Sequence, residues 1–387
     1  MNYDAIIIGA STAGLYAAEL LAEGGLEVAL FEREEDIQPD RRVYIITQRL
    51  ARVLGDLPDT LIRHRIEKMA VGAASAERTI NLGEPDLILE RRELTHHLAE
   101  RARKAGAAVF TGMDFQTFRK ADWRTEVLFQ DREGSQRVMS SGTIIGADGV
   151  YSRTAREAGL LQPAAVPLLQ AEVRLPEGWD PALAQAWFDP SATRYFFWLI
   201  PESPERGVVG LIGEPGRDLH AVLEGFLADH GLEAEGFQSG QAAVHHPSLR
   251  PWGEVHDSDV LLVGDAAGQV KVTTVGGTVT GLWGARAAAE AVLGDKAYAD
   301  TVQPLARELD LHWWIRSLLE RLDQGGYQNL IQRVAPGVER FLAAHDRDSM
   351  KANFWKLPFV QPLYIPQGLK LLLTSSAYPE LRPTLEG

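Results

Sequence analysis

Ile6-Ile7-Ile8-Gly9-Ala10-Ser11-Thr12-Ala13-Gly14 reads as an apolar strand, a tight turn of small residues and the start of a helix. Eighteen residues past Gly14, a second apolar strand, Val28-Ala29-Leu30-Phe31, ends on Glu32. Strand, glycine turn, helix start and a following acid at this distance make up the dinucleotide fingerprint. Gly9 permits the turn, and Gly14 lets the helix pack closely on the strand. The amides and positive dipole end of that helix, around Thr12 and Ala13, suit a pyrophosphate. Glu32 can accept hydrogen bonds from ribose hydroxyls. Ser11 stands where a second glycine is expected, small enough for close approach and able to donate to phosphate.

The chain of 387 residues is long enough for one large α/β domain with a second unit inserted or appended. A formal net charge of −14 opposes binding to nucleic acid and electrostatic docking on anionic membranes. With no cysteine, disulfides, thiolate metal sites and redox dithiols are excluded. The first strand starts near Tyr3, which leaves no room for a signal peptide, and no apolar run approaches the ~18 residues of a spanning helix. A soluble, cytoplasmic protein is expected.

Beyond the first βαβ unit, residues 41–70 read as helical and then mixed, with Arg41-Arg42 on a loop. A short strand, Asp86–Glu90, precedes a helix from Arg92 to Gly106 and a strand Ala107–Phe110. Residues 112–142 alternate like an antiparallel hairpin with a turn at Asp131–Ser135, and Thr143–Gly146 is another buried strand. From about 165 to 255 the texture becomes strand-rich, with a helix near Leu219–His230. The expected organisation is a nucleotide domain over 1–164 plus 256–298. A mostly antiparallel sheet domain for substrate occupies 165–255, and a helical region 299–387. The fold class is α/β (α+β), Rossmann-like.

Three more segments carry chemistry. Gly264-Asp265 ends the buried strand Val260–Val263, placing a carboxylate where it can hold a ribityl hydroxyl. The following Gln269–Thr278 stretch, with Gly276-Gly277 before a helix of Gly and Ala, offers amides to negative charge on a flavin edge. Asp148-Gly149, after the strand Thr143–Gly146 and near Arg153, is equipped for a second approach to a diphosphate. Arg91 opens the helix after Glu90 and can reach a pyrophosphate. Arg33 and Arg42 join these candidate cofactor contacts.

In this order and at these separations, the segments resemble the FAD-dependent oxidoreductases of the para-hydroxybenzoate hydroxylase fold. Within them the chain is most similar to the geranylgeranyl reductase family, along essentially its whole length. Gly264 to Thr278 matches that family's G-D-A-A-G-Q-V-K-P-T-T-G-G-G-like segment, with Val272 in place of the proline. Tyr195-Phe196-Phe197-Trp198-Leu199-Ile200-Pro201 resembles its aromatic Y-x-W-x-F-P segment, and His345-Asp346-Arg347-Asp348 its tail. The cysteine of the archaeal K-P-C-G-like segment has no counterpart, since this region reads Arg41-Arg42-Val43-Tyr44.

The resemblance implies FAD as cofactor and reduction of C=C bonds in a prenyl chain by hydride from reduced flavin N5. Phe196, Trp198 and Ile200 would line the substrate cavity. Tyr44 and Tyr195 are candidates for the proton donor by region alone. Two other readings stay open: an FAD-dependent monooxygenase or halogenase, suggested by Trp198–Pro201, and a flavin-binding protein without turnover. The sequence does not choose the electron donor (NAD(P)H, ferredoxin or free reduced flavin), and with no second G-x-G-x-x-G any nicotinamide would bind transiently. The pairs His96-His97 and His245-His246 lack ligand company, so no metal is expected. Trp313-Trp314 reads as helix packing. Phe354 to Leu373 reads as a lipid-facing lid, a route to peripheral membrane contact through the C-terminal region.

Overall fold

In the computed structural model, which describes residues 1–37, 41–55, 57–121, 125–334, 337, 339 and 380–385, three β-sheets organise the chain. The first is built on β1 (Ala5–Ile8), whose four residues are all buried. It is flanked by β2 (Val28–Phe31) and β10 (Thr143–Gly146), with β6 (Ala108–Phe110) outside β2 and β17 (Ser258–Leu262) outside β10. All these pairings are parallel, and only β16 (Trp252–Val255) joins antiparallel, on the β17 edge. A parallel sheet must be covered on both faces, which is why its strands are unbroken apolar runs.

One face packs on α1 (Thr12–Glu23), α3 (Arg91–Ala105) and α6 (Thr278–Leu293). Alanines carry much of this contact, among them Ala17 and Ala18 of α1 and Ala285, Ala288 and Ala289 of α6, and their small volume brings the helices close. The other face packs on the third sheet, a meander of β7 (Asp114–Lys120), β8 (Thr125–Gln130) and β9 (Gln136–Ser141). The meander's last turn lies at Asp131–Ser135 as expected, with the Asp131 carboxylate accepting from the Ser135 amide at 2.8 Å. One strand more than a hairpin is present.

The eight-stranded second sheet runs β15 (Ala234–Val244), β11 (Ala164–Arg174), β14 (Arg206–Ile212), β13 (Phe197–Pro201), β12 (Leu183–Trp187), β4 (Ile62–Ala73), β5 (Ala76–Glu90), β3 (Val43–Ile46). It is antiparallel except where β12 meets β4. One face is covered by α5 (Leu219–Asp229), whose Leu219, Leu223 and Leu227 pack on Phe197, Leu199, Val209 and Leu211. Strand alternation turns Trp198 and Ile200 to the opposite face.

This sheet corrects the expected organisation. Residues 43–90 contribute three of its strands, although they fall within the stretch 1–164 assigned to the nucleotide domain. Among the described residues of the stretch read as helical, only Arg49–Leu54 (α2) is α-helix. The cause is composition: β4 alternates exposed charges with few apolar residues, so it lacks the signature of a buried strand. At the other end, β16 belongs to the first sheet although 252–255 was assigned to the substrate domain.

The structure also includes α4 (Arg153–Glu157), α7 (Tyr298–Leu319) and α8 (Gln324–Gln332). His345–Asp348 and Phe354–Leu373 lie outside the described residues. Among the described residues, no helix is long and apolar enough to cross a membrane.

Candidate cofactor and active site

The fingerprint turn is assembled by contacts that exclude side chains. Gly9 has φ +102°, and a Cβ there would lie 2.5 Å from the Ala147 carbonyl oxygen and 2.9 Å from Asp148 Cα. A Cβ on Gly14 would overlap the Gly9 carbonyl. Ser11 is the N-cap of α1, its Oγ accepting from the Gly14 amide at 3.2 Å, which leaves the hydroxyl proton available to donate outward. Glu32 shapes the same turn. Its carboxylate accepts from the Ala10 amide at 2.7 Å and the Glu34 amide at 3.0 Å. Arg33 departs from the site, with its side chain 72% exposed and its Nε 3.4 Å from Glu34.

Two further segments converge on the start of α1. Gly264, in the left-handed region at φ +65°, opens a 3-10 turn, and a Cβ there would meet the Ala13 Cβ at 3.2 Å. A Cβ on Gly281, in the first turns of α6, would lie 3.3 Å from Gly264 Cα. Asp265 follows, and a Cβ on Gly277 would come within 3.1 Å of its Oδ1. Burial pushes the Asp265 carboxyl above the usual carboxylate range, and the Arg91 and Arg42 guanidinium groups offset part of that. The Arg91 amide donates to the Arg42 carbonyl at 2.8 Å, which brings the two arginines together.

Asp148 plays a different part from the one expected. Its oxygens accept from the Ser152 hydroxyl at 2.6 Å, the Thr154 amide at 2.9 Å and the Thr154 hydroxyl at 3.0 Å. The carboxylate thus organises the start of α4, and it is the backbone of Ala147 and Asp148 that abuts the Gly9 turn. Arg153 is turned away, paired with Asp114 at 3.0 Å.

The two tyrosines differ in surroundings. The Tyr44 hydroxyl is buried, which pushes it up to about 12 against the opposing pull of Arg91, Thr278 and Arg42. It therefore shares Arg91 and Arg42 with Asp265. Tyr195 is also pushed up to about 12 by burial, but its ring lies under the Arg316 guanidinium, 4.4 Å from the centroid. Phe196 and Trp198 are half-buried, with ring centroids 6.1 Å apart. They share an apolar cluster with Tyr195 and with Val272 and Val275 of the loop before α6. Val272, in the place of the expected proline, is 2% exposed there. Ile200 lies in the adjoining cluster with Val43, Ile66 and Ile88, and Trp198 touches both.

Sequence reading missed Gln269 and Tyr298. The Gln269 side chain accepts from the Gly264 amide at 2.7 Å and donates to the Tyr298 hydroxyl at 3.0 Å. Tyr298 in turn donates to the Leu262 carbonyl at 3.0 Å. A Cβ on Gly284 would overlap the Gln269 amide. The signal for this clamp was the pair of glycines, Gly281 and Gly284, inside an otherwise alanine-rich helix.

These features form a glycine-lined cradle with a capped helix start, a ribose-type acid and a desolvated carboxylate facing two arginines. The residues fit FAD. The model of the FAD binding domain family matches residues 2–291. The chain belongs to this family. It is 33% identical over 296 residues to digeranylgeranylglycerophospholipid reductase 2 of Methanothermobacter thermautotrophicus, covering 72% of this chain and 74% of that one. Geranylgeranyl diphosphate reductase of Rhodobacter capsulatus is 28% identical over 371 residues, covering 92% and 91%. The flavoprotein is therefore an FAD-dependent oxidoreductase of the geranylgeranyl reductase family. A geranylgeranyl bacteriochlorophyll reductase-like structure from Thermoplasma acidophilum superposes with a TM-score of 0.78 at 19% identity, covering 96% of this chain and 99% of that one. A flavin-dependent brominase superposes with a TM-score of 0.68 at 16% identity, covering 95% and 100%. At these identities the likeness shows the shared fold.

Proposed function

We propose that the enzyme reduces C=C bonds of a prenyl chain. The observation that carries this reading is the apolar cluster in which Tyr195, Phe196 and Trp198 of the second sheet meet Val272 and Val275. This apolar cluster, which in this reading receives the chain, adjoins the loop leading to the flavin-edge glycines. Bound FAD, once reduced, supplies the hydride. An isolated alkene has no carbonyl to polarise, so the protein's work is to orient the chain, exclude water and hold a proton. Phe196, Trp198 and Ile200 bind the chain in this reading. Gly9 to Gly14, Glu32, Arg42, Arg91, Gly264, Asp265 and Gly276 to Thr278 hold the cofactor, with the Asp148-Gly149 backbone alongside.

The test is mass spectrometry of a geranylgeranyl substrate after anaerobic incubation with dithionite-reduced enzyme. Addition of hydrogen pairs is expected. An unchanged substrate with FAD still bound would overturn the reading, as would oxygen incorporation seen only in an aerobic NAD(P)H sample. Contact through the C-terminal region with a membrane holding the lipid is part of the same proposal, and vesicle co-sedimentation tests it.

Trp198→Ala is expected to raise KM for the prenyl substrate about tenfold with FAD affinity unchanged, because apolar chain contact is lost and the cradle is not. Steady-state kinetics with parallel FAD titration checks this. For the proton, Tyr44 is the better candidate, since its buried hydroxyl lies among cofactor-site groups, whereas the charged groups around Tyr195 are Arg316, Arg194, Glu320 and Glu214, none of them in that site. Tyr44→Phe is expected to lower kcat roughly tenfold or more, and Tyr195→Phe to leave kcat near wild type. The reverse ranking would remove Tyr44 from this role.

A further inference from the structure

One face of α7 carries Glu308, His312 and Arg316, followed at the same four-residue spacing by the C-cap Glu320, and all but Glu320 are buried. A buried stripe of charge on a helix is costly unless each group meets a polar partner. The lower half of the stripe meets the loop that precedes α6. His312 Nδ1 and the Thr273 hydroxyl share a hydrogen bond of 2.6 Å, and Glu308 Oε1 lies 3.6 Å from His312 Nε2. A second histidine makes a parallel link: His245 Nδ1 is 3.2 Å from the Gly268 carbonyl and its Nε2 is 3.0 Å from Asp310, also on α7. Between these ties the loop is tightly folded. The Lys271 amide donates to the Gly276 carbonyl at 3.1 Å, and Val275 sits at φ +48°. A β-branched residue in the left-handed region persists only where its surroundings over-determine it.

We propose that His312, backed by Glu308, is a positioning residue that sets the loop Gly268–Gly277 through Thr273. It thereby tunes the amides of Gly276 to Thr278 that would face the flavin. This rests on the FAD site assigned above and not on the identity of the substrate. Glu308 lies beside the imidazole at ion-pair distance, the imidazole holds the Thr273 hydroxyl, and the hydroxyl fixes the loop's approach to α6.

The experiment uses the full-length protein and reads the FAD dissociation constant and the midpoint potential of the bound flavin. Thr273→Val and His312→Leu are each expected to weaken FAD binding roughly three- to tenfold and to shift the potential in the same direction. The double variant is expected to do no more than the worse single one, because both remove one interaction. Thr273→Ser and His312→Asn, which keep a hydrogen-bonding atom at the junction, are expected to remain near wild type. Should His312→Leu fail to fold, Thr273→Val decides, since it alters only one side of the pair. Unchanged affinity and potential in Thr273→Val would overturn the proposal, and so would full additivity in the double variant. Neither readout needs an alkene, so failure to reduce a prenyl chain would sink the substrate reading and leave this one standing.

Discussion

Asp265→Asn is expected to weaken FAD binding by about 10- to 100-fold while raising the melting temperature of the FAD-free protein at neutral pH. The first effect follows from losing a charged acceptor for a cofactor hydroxyl, about 1.5–3 kcal/mol for such a hydrogen bond. The second follows from linkage. Burial raises the Asp265 pKa above its ordinary 3.8, so folding favours the protonated form. The stability this group contributes is fully present below that ordinary value and is lost as pH rises through the raised one. Above that raised value the ionised carboxylate opposes folding. Arg91 and Arg42 recover only part of that, because the net shift is upward. Asparagine keeps the shape without the charge. Thermal unfolding of the FAD-free protein between pH 4 and 7, alongside FAD titration, checks both effects. A lower melting temperature at pH 7 would show that the arginine pair outweighs burial.

Gly284→Ala is expected to cost roughly 2–6 kcal/mol of stability and to impair FAD binding with it. The added methyl group would occupy the position of the Gln269 amide, between the Gly264 amide and the Tyr298 hydroxyl. Overpacking alone costs about 1–3 kcal/mol. Displacing Gln269 then leaves a buried amide without its acceptor, at about 1–3 kcal/mol more. Because Gly264 opens the turn that carries Asp265, the damage falls on the cofactor site itself. Denaturant unfolding with FAD titration is the check. A loss within 1 kcal/mol would mean that α6 shifts away and that the clamp is not rigid.

The parts of the fold and site that were legible in the sequence are those set by neighbours along the chain. The β1 turn, Gly9, Gly14 and Glu32 announce themselves within one βαβ unit, and Gly264-Asp265 and α6 do so at a strand end. Arg42 and Tyr44 were harder, because Arg42 reads as a loop and Tyr44 falls in a stretch that reads as helical and then mixed. They reach the site through β3, whose antiparallel pairing with β5 sets Val43 opposite Glu90 and so the loop beside Arg91. The direction of the Asp148 carboxylate was not legible, because a motif does not say which way a side chain turns, and here α4 takes it. The polar stripe of α7 carried the opposite signal from its real setting. Glu308, His312 and Arg316 look like a solvated face, yet Trp314 is the residue 55% exposed. Their partners Thr273 and Tyr195 come from distant segments, and no local pattern names them.

The interleaving of the two large sheets has a consequence for how the chain acquires its shape during synthesis. The central strand β1 pairs with β10, and β10 with β17, so the nucleotide sheet is incomplete until residue 262 has emerged. The second sheet joins β4 to β12 across an equally long gap, and such non-local pairings form slowly. Ala13 meets Gly264 and Gly281 only after both halves are made. The nascent first half therefore has no finished cradle, and cofactor capture becomes one of the last events of maturation, sealing a structure whose early strands have waited for their partners.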